Sequence, residues 1–439
     1  MRDIVLAIAL LASLPMIWKR PWFGIIVWTW LGFMNPHRMA WGFMVEQPVA
    51  QVVALVTLAS LLKSQEPKRI PWNRESIVLA AFVLWMTVTT IFALYPDLAW
   101  LQLEKVAKIQ LMIFVAMMLI TTRERLHALI WTIAVSIGFY GVKGGIFTIM
   151  KGGVHRVYGP TGTFIEGNNE MGLALAMTVP LMYYLYREAA RFYVRWGLLA
   201  AMILTSLAAI GTQSRGALLG MGAMAVMLWW KSRQKVLMTF LVGLATAAVF
   251  LVMPQEWFDR MASIRTYEED TSALNRLDSW RFAFLLASNR LLGGGFETFR
   301  SGVDAHSIYF EVMGEHGFVG FGLFLALWAF TWLAAARIRR ATEETPDMAW
   351  MATLARMTQV SLVAYATAGA FLGMAYFDYP YNLVLIVVVC SSILAARQTA
   401  SGEAVAAARQ GRPDRASAMP PGRQVARPQW RIPAQRRVP

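Results

Sequence analysis

Residues 305–340 read AHSIYFEVMGEHGFVGFGLFLALWAFTWLAAARIRR. Roughly 20 predominantly apolar residues cross a bilayer as a helix. The run from Ile308 to Ala336 exceeds that length, and only Glu311, Glu315 and His316 interrupt it. His306 precedes the run, and Arg337, Arg339 and Arg340 follow it. Titratable groups are costly in lipid, so those at its start face protein, water or a substrate. Which of these applies depends on the side of the membrane that this end occupies.

The rest of the chain has the same character. Of 439 residues, 57% are hydrophobic and 15% charged, where a soluble domain carries about 25% charged residues. The chain is therefore expected to be an all-α polytopic membrane protein. Thirteen apolar runs lie near 3–18, 22–34, 48–62, 76–94, 105–120, 127–149, 168–186, 194–212, 214–230, 236–253, 307–336, 350–373 and 381–397. The first three are short, and 22–34 reads as re-entrant or 3–34 as a tilted hairpin. About 12 transmembrane helices are expected. No small-residue cleavage site precedes Lys19 and Arg20, so residues 3–18 read as a retained helix and not a signal peptide.

Lys and Arg in short loops mark the cytoplasmic side. Alternate loops hold Lys63, Lys68, Arg69 and Arg74, then Arg123 and Arg125, then Arg187, Arg191 and Arg195. Lys231, Arg233, Lys235, then Arg337, Arg339 and Arg340, continue the series. The opposite, outer side holds 35–47, 95–104, 151–167, 254–306 and 375–382. His306 thus stands at the outer end of its helix, which is periplasmic in a Gram-negative cell. The expected organisation is a transmembrane bundle over 1–253 and a periplasmic loop with an amphipathic helix over 254–306. Transmembrane helices follow over 307–397, then a disordered basic cytoplasmic tail over 398–439.

Much of the net charge of +15 lies in that tail, which is rich in Ala, Arg, Pro and Gly and has no apolar period. It cannot bury enough surface to fold, and its arginines suit anionic headgroups. Membrane lipids, not nucleic acid, are the partners this implies. The single cysteine, Cys390, excludes an intramolecular disulfide. No zinc spacing, P-loop or dinucleotide fingerprint occurs. The acidic run at 268–270 reads as a solvated turn, so no metal site is expected.

The outer loop 254–306 contains Arg260, Arg265, Arg276, Arg281, Arg290 and Arg300 and no lysine. Pairing with the loop's own acids, such as Glu256, Asp259, Glu268, Glu269 and Asp270, accounts for most of them. An all-arginine set also suits bidentate binding of phosphate or carboxylate. A helix is expected over 272–289, capped by Thr271 or Ser272 and followed by glycines 293–295. Leu277, Trp280, Phe284 and Leu291 form an apolar stripe that suits an interfacial helix. Arg276 and Arg281 are about 140° apart around it, and Arg276, one turn before Trp280, is the favoured ligand.

Three further motifs fall on the outer side. GTQSRGALLG places Arg215 in a tight helical hairpin, with Gly211 and Gly216 allowing close approach. Snorkelling is one reading of Arg215; its break with the charge pattern favours a substrate-facing one. Residues 155–175 enter the membrane through Glu166, Asn168, Asn169 and Glu170. Capping accounts for one or two of these, and the others, with Arg156, suit a sugar or a phosphate. His37 and His155 are isolated and read as structural. The turn FDYPYN at 377–382 offers Asp378, Tyr379 and Tyr381 to glycan hydroxyls or to a nearby histidine. Glu315 is nine residues from His306, about 13.5 Å along a helix. Unless the helix breaks at Gly314, Glu315 and His316 are packing partners of other helices, and Glu311 alone supports the mouth.

The order SRG, then NRxxxW with a following GGGFxxF, then HSxYFExxGEHGFxG resembles the O-antigen ligase and polymerase superfamily. NPHRMAWGF at 35–43 and the short early spans are similar to its branch called exosortase-associated putative O-glycosylation ligase. The resemblance covers about residues 1–397. It implies a GT-C-like helical glycosyltransferase of the bacterial inner membrane with a periplasmic active site. Such ligases move a polysaccharide from an undecaprenyl-pyrophosphate-linked glycan donor to the lipid A-core of lipopolysaccharide, inverting and without metal or cofactor. The family's essential arginines fall on Arg215 and Arg276 and its histidine on His306, while Ser307 stands where many relatives have Asn. The chemistry is coherent by itself: arginines stabilise a pyrophosphate leaving group, and a histidine accepts a proton near neutral pH. An O-antigen polymerase or a protein O-oligosaccharyltransferase shares this donor chemistry. A glycan-lipid transporter is disfavoured, because no internal repeat is evident.

Overall fold

The apolar runs become helices, because in lipid the backbone must satisfy its own hydrogen bonds. The computed structural model describes residues 2–232, 234–262, 271–299 and 304–410, with backbone alone for 262, 271–273 and 400–410. Arg233, Arg265, Glu268, Glu269, Asp270, Arg300 and the tail beyond 410 lie outside the described residues. The helices are α1 Arg2–Lys19, α2 Pro21–Met34, α3 Val49–Lys63, α4 Arg74–Ile91, α5 Pro96–Leu119, α6 Arg123–Met150, α7 Asn168–Glu188 and α8 Phe192–Gly211. They continue as α9 Arg215–Lys231, α10 Lys235–Val252, α11 Gln255–Ala262, α12 Thr271–Asn289, α13 Ile308–Thr342, α14 Ala349–Ala368 and α15 Asp378–Gln410. No strand occurs among the described residues.

The chain is a multi-pass membrane protein. Helices α4, α6, α8, α10, α13 and Asp378–Thr399 of α15 are long and apolar enough to cross a membrane, and α2 and α3 are shorter apolar helices. Each expected span coincides with a helix, although α5 carries Glu104, Lys105 and Lys108 in its outer half and α9 is only 17 residues long. Residues 1–394 form one compact unit, and Ala395–Pro439 are a second.

Helix α7 is apolar on every face and sits at the centre of the first unit, with Met171–Thr178 wholly buried. Pro180 removes one backbone donor from it. Nearby, the Ser361 hydroxyl of α14 donates to the Met177 carbonyl at 2.8 Å. Helix α9 packs on α14 through small residues one turn apart: Gly216 backs onto the Ala368 carbonyl and Gly220 onto the Ala364 carbonyl. Close backbone approach of this kind drives helix association in membranes.

Helix α13, read from the sequence as continuous unless broken at Gly314, breaks three residues beyond it at Gly317, with φ 64° and ψ −172°. The break releases three successive carbonyls, and each finds a partner. Gly294 N–H donates to Gly314 at 2.9 Å, Gly295 N–H to Glu315 at 2.8 Å, and Trp85 Nε1–H to His316 at 2.9 Å. The glycines that follow α12 are thus spliced into α13. Gly293 and Gly295 have positive φ, and a Cβ on Gly293 would strike the Gly314 and Glu315 carbonyls.

Hydrogen bonds tie the predicted outer loops to one another at one end of the bundle. Leu94 N–H donates to Gly294 at 2.7 Å, Val157 N–H to Gly211 at 3.1 Å, and Trp257 Nε1–H to Ile210 at 3.3 Å. The basic loops meet at the other end, where Arg125 grips Glu66 at 2.6 and 2.8 Å and Arg123 bonds Glu188 at 2.7 Å. The alternation of charge along the sequence is therefore an alternation of ends in space.

Candidate functional site

The loop-rich end assembles from four elements. The first is the hairpin between α8 and α9. Gln213 adopts φ 56°, and its side chain donates to the Gly153 and Val154 carbonyls at 3.0 and 3.1 Å. Ser214 caps α9, accepting from Ala217 N–H at 3.2 Å, which places Arg215 at the first helical position. The second element is the start of α7. Asn168 does not cap its own helix; its amide donates to the Thr212 carbonyl at 2.9 Å and fastens α7 to the hairpin. Glu170, two residues on, lies within electrostatic range of Glu166, Asp304 and His306.

The third element is the approach to α13. His306 has φ 46°, a left-handed conformation that costs a non-glycine residue energy and points to a functional constraint. Asp304 holds it there: His306 N–H donates to Oδ1 at 3.1 Å, and Nδ1 lies 3.1 Å from Oδ2. Protein packed around the Asp304 carboxyl works to raise its pKa. The hydrogen bonds and charge of His306, with the Ala305 N–H, outweigh that and hold it below the ordinary carboxylate value. Gly373 backs directly onto this carboxylate, and a Cβ there would meet it.

The fourth element is α12. Trp280 Nε1–H donates to the Ala305 carbonyl at 2.9 Å, and its ring stacks on Phe310 with centroids 4.9 Å apart. Trp280 therefore fastens α12 beside His306 and departs from the expected stripe. Leu277, Phe284 and Leu291 are exposed, whereas Ser279, Ala283 and Ala287 are buried. Arg276 is half-buried and Arg281 is exposed.

A short turn at Gly369–Phe371, unremarked in the sequence reading, joins the motifs. Gly216, next to Arg215, abuts Ala368 and Phe371. Trp280, one turn from Arg276, packs on Phe371 with centroids 6.4 Å apart, and Ile308, two residues after His306, fills the space over Gly369. The three motif elements thus share one support.

The other expected contacts divide. Arg156 and Asn169 are half-buried at this end. Glu166 accepts from Gly162 N–H at 2.8 Å, so it shapes its own loop. Asp378 is buried beside Gly32. Tyr379 is fully buried, donating to Thr178 at 3.0 Å, and Tyr381 likewise donates to the Ala375 carbonyl at 2.8 Å. These phenols brace α15 and do not present themselves to a glycan. Glu311 accepts from Ala375 N–H at 3.0 Å. Glu315 accepts from Glu297 N–H at 2.8 Å and from the Tyr376 hydroxyl, and His316 Nδ1 meets Thr89 at 2.6 Å. This buried set packs helices together below the mouth. Among the described residues no cluster of three or more His, Cys, Asp or Glu side chains is placed to hold a metal ion.

Sequence reasoning missed Asp304 and Gly373. Asp304 had a signal in a carboxylate two residues before the candidate histidine; Gly373 had none, because it lies 67–69 positions away from the pair it touches.

Comparison with known proteins divides the chain. Residues 1–190 match a family of unknown function, DUF5935. Residues 200–325 match the family described as O-Antigen ligase, and that segment contains Arg215, Arg276, Trp280, Asp304 and His306. A search of curated proteins finds no match. Residues 200–325 are therefore similar to the O-antigen ligase family, which supports the resemblance read from the SRG, NRxxxW and HSxYFE motifs.

Proposed function

We propose that the protein is an O-antigen ligase of the bacterial inner membrane. It transfers a polysaccharide from undecaprenyl pyrophosphate to the lipid A-core of lipopolysaccharide at the periplasmic face, with inversion and without a metal. The observation that carries this reading is the joint support of the Arg215 hairpin, the Arg276 helix and the His306 approach on Gly369–Phe371, inside the family-matched segment. The charge pattern supports the orientation.

In this reading an acceptor hydroxyl oxygen attacks the anomeric carbon of the donor sugar. The bond to the pyrophosphate oxygen breaks, and undecaprenyl pyrophosphate leaves with that electron pair. Arg215 and Arg276 hold the pyrophosphate through paired N–H donors and offset its developing charge. His306 takes the hydroxyl proton. With Nδ1 directed at Asp304, its acceptor atom is Nε2. General-base help of this kind contributes about 10²–10⁴-fold. Arg156 and Asn169 remain proposed contacts to the sugar, whereas Asp378, buried beside Gly32, is not among them.

Reconstitution with an undecaprenyl-pyrophosphate-linked glycan tests the assignment. Lipid A-core, a second glycan lipid and a pilin-like protein are offered as acceptors. Glycan transfer to lipid A-core is the expected result. Transfer only to the second glycan lipid would make the protein a polymerase, and transfer only to protein would make it a protein O-oligosaccharyltransferase.

A further inference from the structure

Glu170 is the only charged residue of α7 before Arg187, and it belongs to the segment that matches the family of unknown function. Its place is fixed by what surrounds the start of α7. Gly167 is the N-cap, and a Cβ there would strike Glu170 Oε2, so the carboxylate folds back over the end of its own helix. Asn168 fastens that end to the Thr212 carbonyl at 2.9 Å. Gly172, two residues after Glu170, backs onto Ser214 and Ala217, which bracket Arg215. Glu170 is half-buried in this corner, and its carboxylate faces both Asp304 and His306.

A glutamate at the third position of a helix is stabilised by the N–H groups of the first turn. That accounts for an acid at the start of α7, but it does not require this start to lie beside His306. In the proposed reaction His306 takes a proton and becomes an imidazolium. Asp304 lies 3.1 Å from Nδ1, yet its side chain is 52% exposed and water screens its charge. Glu170 is the more enclosed of the two carboxylates and acts through a lower dielectric. Other charged groups surround the pair. Glu166 faces Glu170, and Glu311 and Glu315 of α13 face Asp304. On α12, Arg276, Asp278 and Arg281 lie within a turn of Trp280.

We propose that Glu170 is a positioning residue for the transfer: its carboxylate, carried by the segment of unknown function, pairs with His306 and stabilises the imidazolium. The proposal rests on His306 being the base. As the glycosidic bond forms, the acceptor proton passes to His306 Nε2 and later leaves to water; Glu170 neither gains nor loses a proton. The same negative charge repels the donor's pyrophosphate. Glu170 therefore favours the transition state over the bound donor.

The test uses the full-length protein in detergent and Glu170→Gln, which keeps the shape and removes the charge. Diethyl pyrocarbonate acylates neutral imidazole. Its rate at His306, mapped by mass spectrometry, therefore reads the unprotonated ring whether or not transfer occurs. At pH 6 that rate is expected to rise roughly two- to threefold in Glu170→Gln. The exposed His155 stays unchanged as the internal reference. Transfer kcat should fall roughly five- to tenfold, without a rise in donor KM. Glu170→Asp keeps the charge one methylene farther off and should lie between, and it carries the test if Glu170→Gln fails to fold. An unchanged His306 rate in Glu170→Gln overturns the pairing, and a raised rate with wild-type kcat overturns its part in transfer. A raised rate with no transfer even by wild type supports the pairing and counts against the ligase reading alone.

Discussion

The Asp304 carboxylate receives both the backbone N–H and the imidazole Nδ1 of His306, each at 3.1 Å. One side chain therefore fixes the strained backbone of the candidate base and the direction of its ring. A buried carboxylate in a Ser-His-Asp triad is worth about 10⁴-fold. The Asp304 side chain is 52% exposed, so Asp304→Asn is expected to reduce transfer less, by roughly 10–100-fold. Gly373→Ala, which pushes a methyl group into the same carboxylate, should lower kcat in the same direction with little change in Tm. Turnover and melting temperature measured together check both variants. Wild-type turnover in Asp304→Asn would remove its role.

The same pair sets an acid limit. The folded Asp304 pKa is below its ordinary 3.8. Its contribution to stability is thus fully present above that value and is lost as pH falls through the folded pKa. The difference in Tm between wild type and Asp304→Ala should persist from pH 7 to pH 4 and close only below about pH 4. An exposed pair is worth about 1 kcal/mol or less, so the difference is small, on the order of a few degrees at most. Thermal melts in detergent across that range check it. A difference that closes between pH 6 and pH 5 contradicts it.

Two glycines of α13 separate backbone geometry from helix propensity. Gly317 has φ 64° and faces the Leu291 carbonyl, whereas Gly322 has nothing within 4 Å of an added Cβ. Gly317→Ala should lose roughly 1–3 kcal/mol, and Gly322→Ala should be neutral or stabilising by about 0.4–1 kcal/mol. Denaturation of both variants side by side decides it.

The two arginines of α12 make a second contrast. Arg276 is half-buried on the face that Trp280 fastens, and Arg281 is exposed. Arg276→Lys keeps the charge and loses the planar fork, so transfer should fall about 10²–10³-fold. Arg281→Lys should stay within about threefold of wild type, because exposed charges contribute little. Steady-state transfer rates distinguish them, and the reverse order would move the pyrophosphate to the other face of α12.

Apolar run length and the charge of short loops were enough to place the helices and their two ends, since both follow from the cost of polar groups in lipid. Periodicity was enough to place α12 but misassigned one side chain. Trp280 lies about 60° from Leu277 around the helix, at the stripe's margin, and its indole N–H reaches the Ala305 carbonyl instead of lipid. The splice of Gly294 and Gly295 onto Gly314 and Glu315 left only glycines in the sequence, because backbone hydrogen bonds use no side chains. Tyr379 looked like an outer-face phenol because burial depends on neighbours such as Thr178, 201 residues away in the chain. The support at Gly369–Phe371 was invisible for the same reason.

In the proposed reaction His306 is the base, and Arg215 and Arg276 carry the leaving group. Single-turnover transfer from a purified undecaprenyl-pyrophosphate-linked glycan to lipid A-core tests it most directly, comparing wild type with a folded His306→Ala variant. A loss of about 10²–10⁴-fold in the transfer step is expected, with donor binding retained through the arginines. Transfer by His306→Ala at the wild-type rate would contradict it.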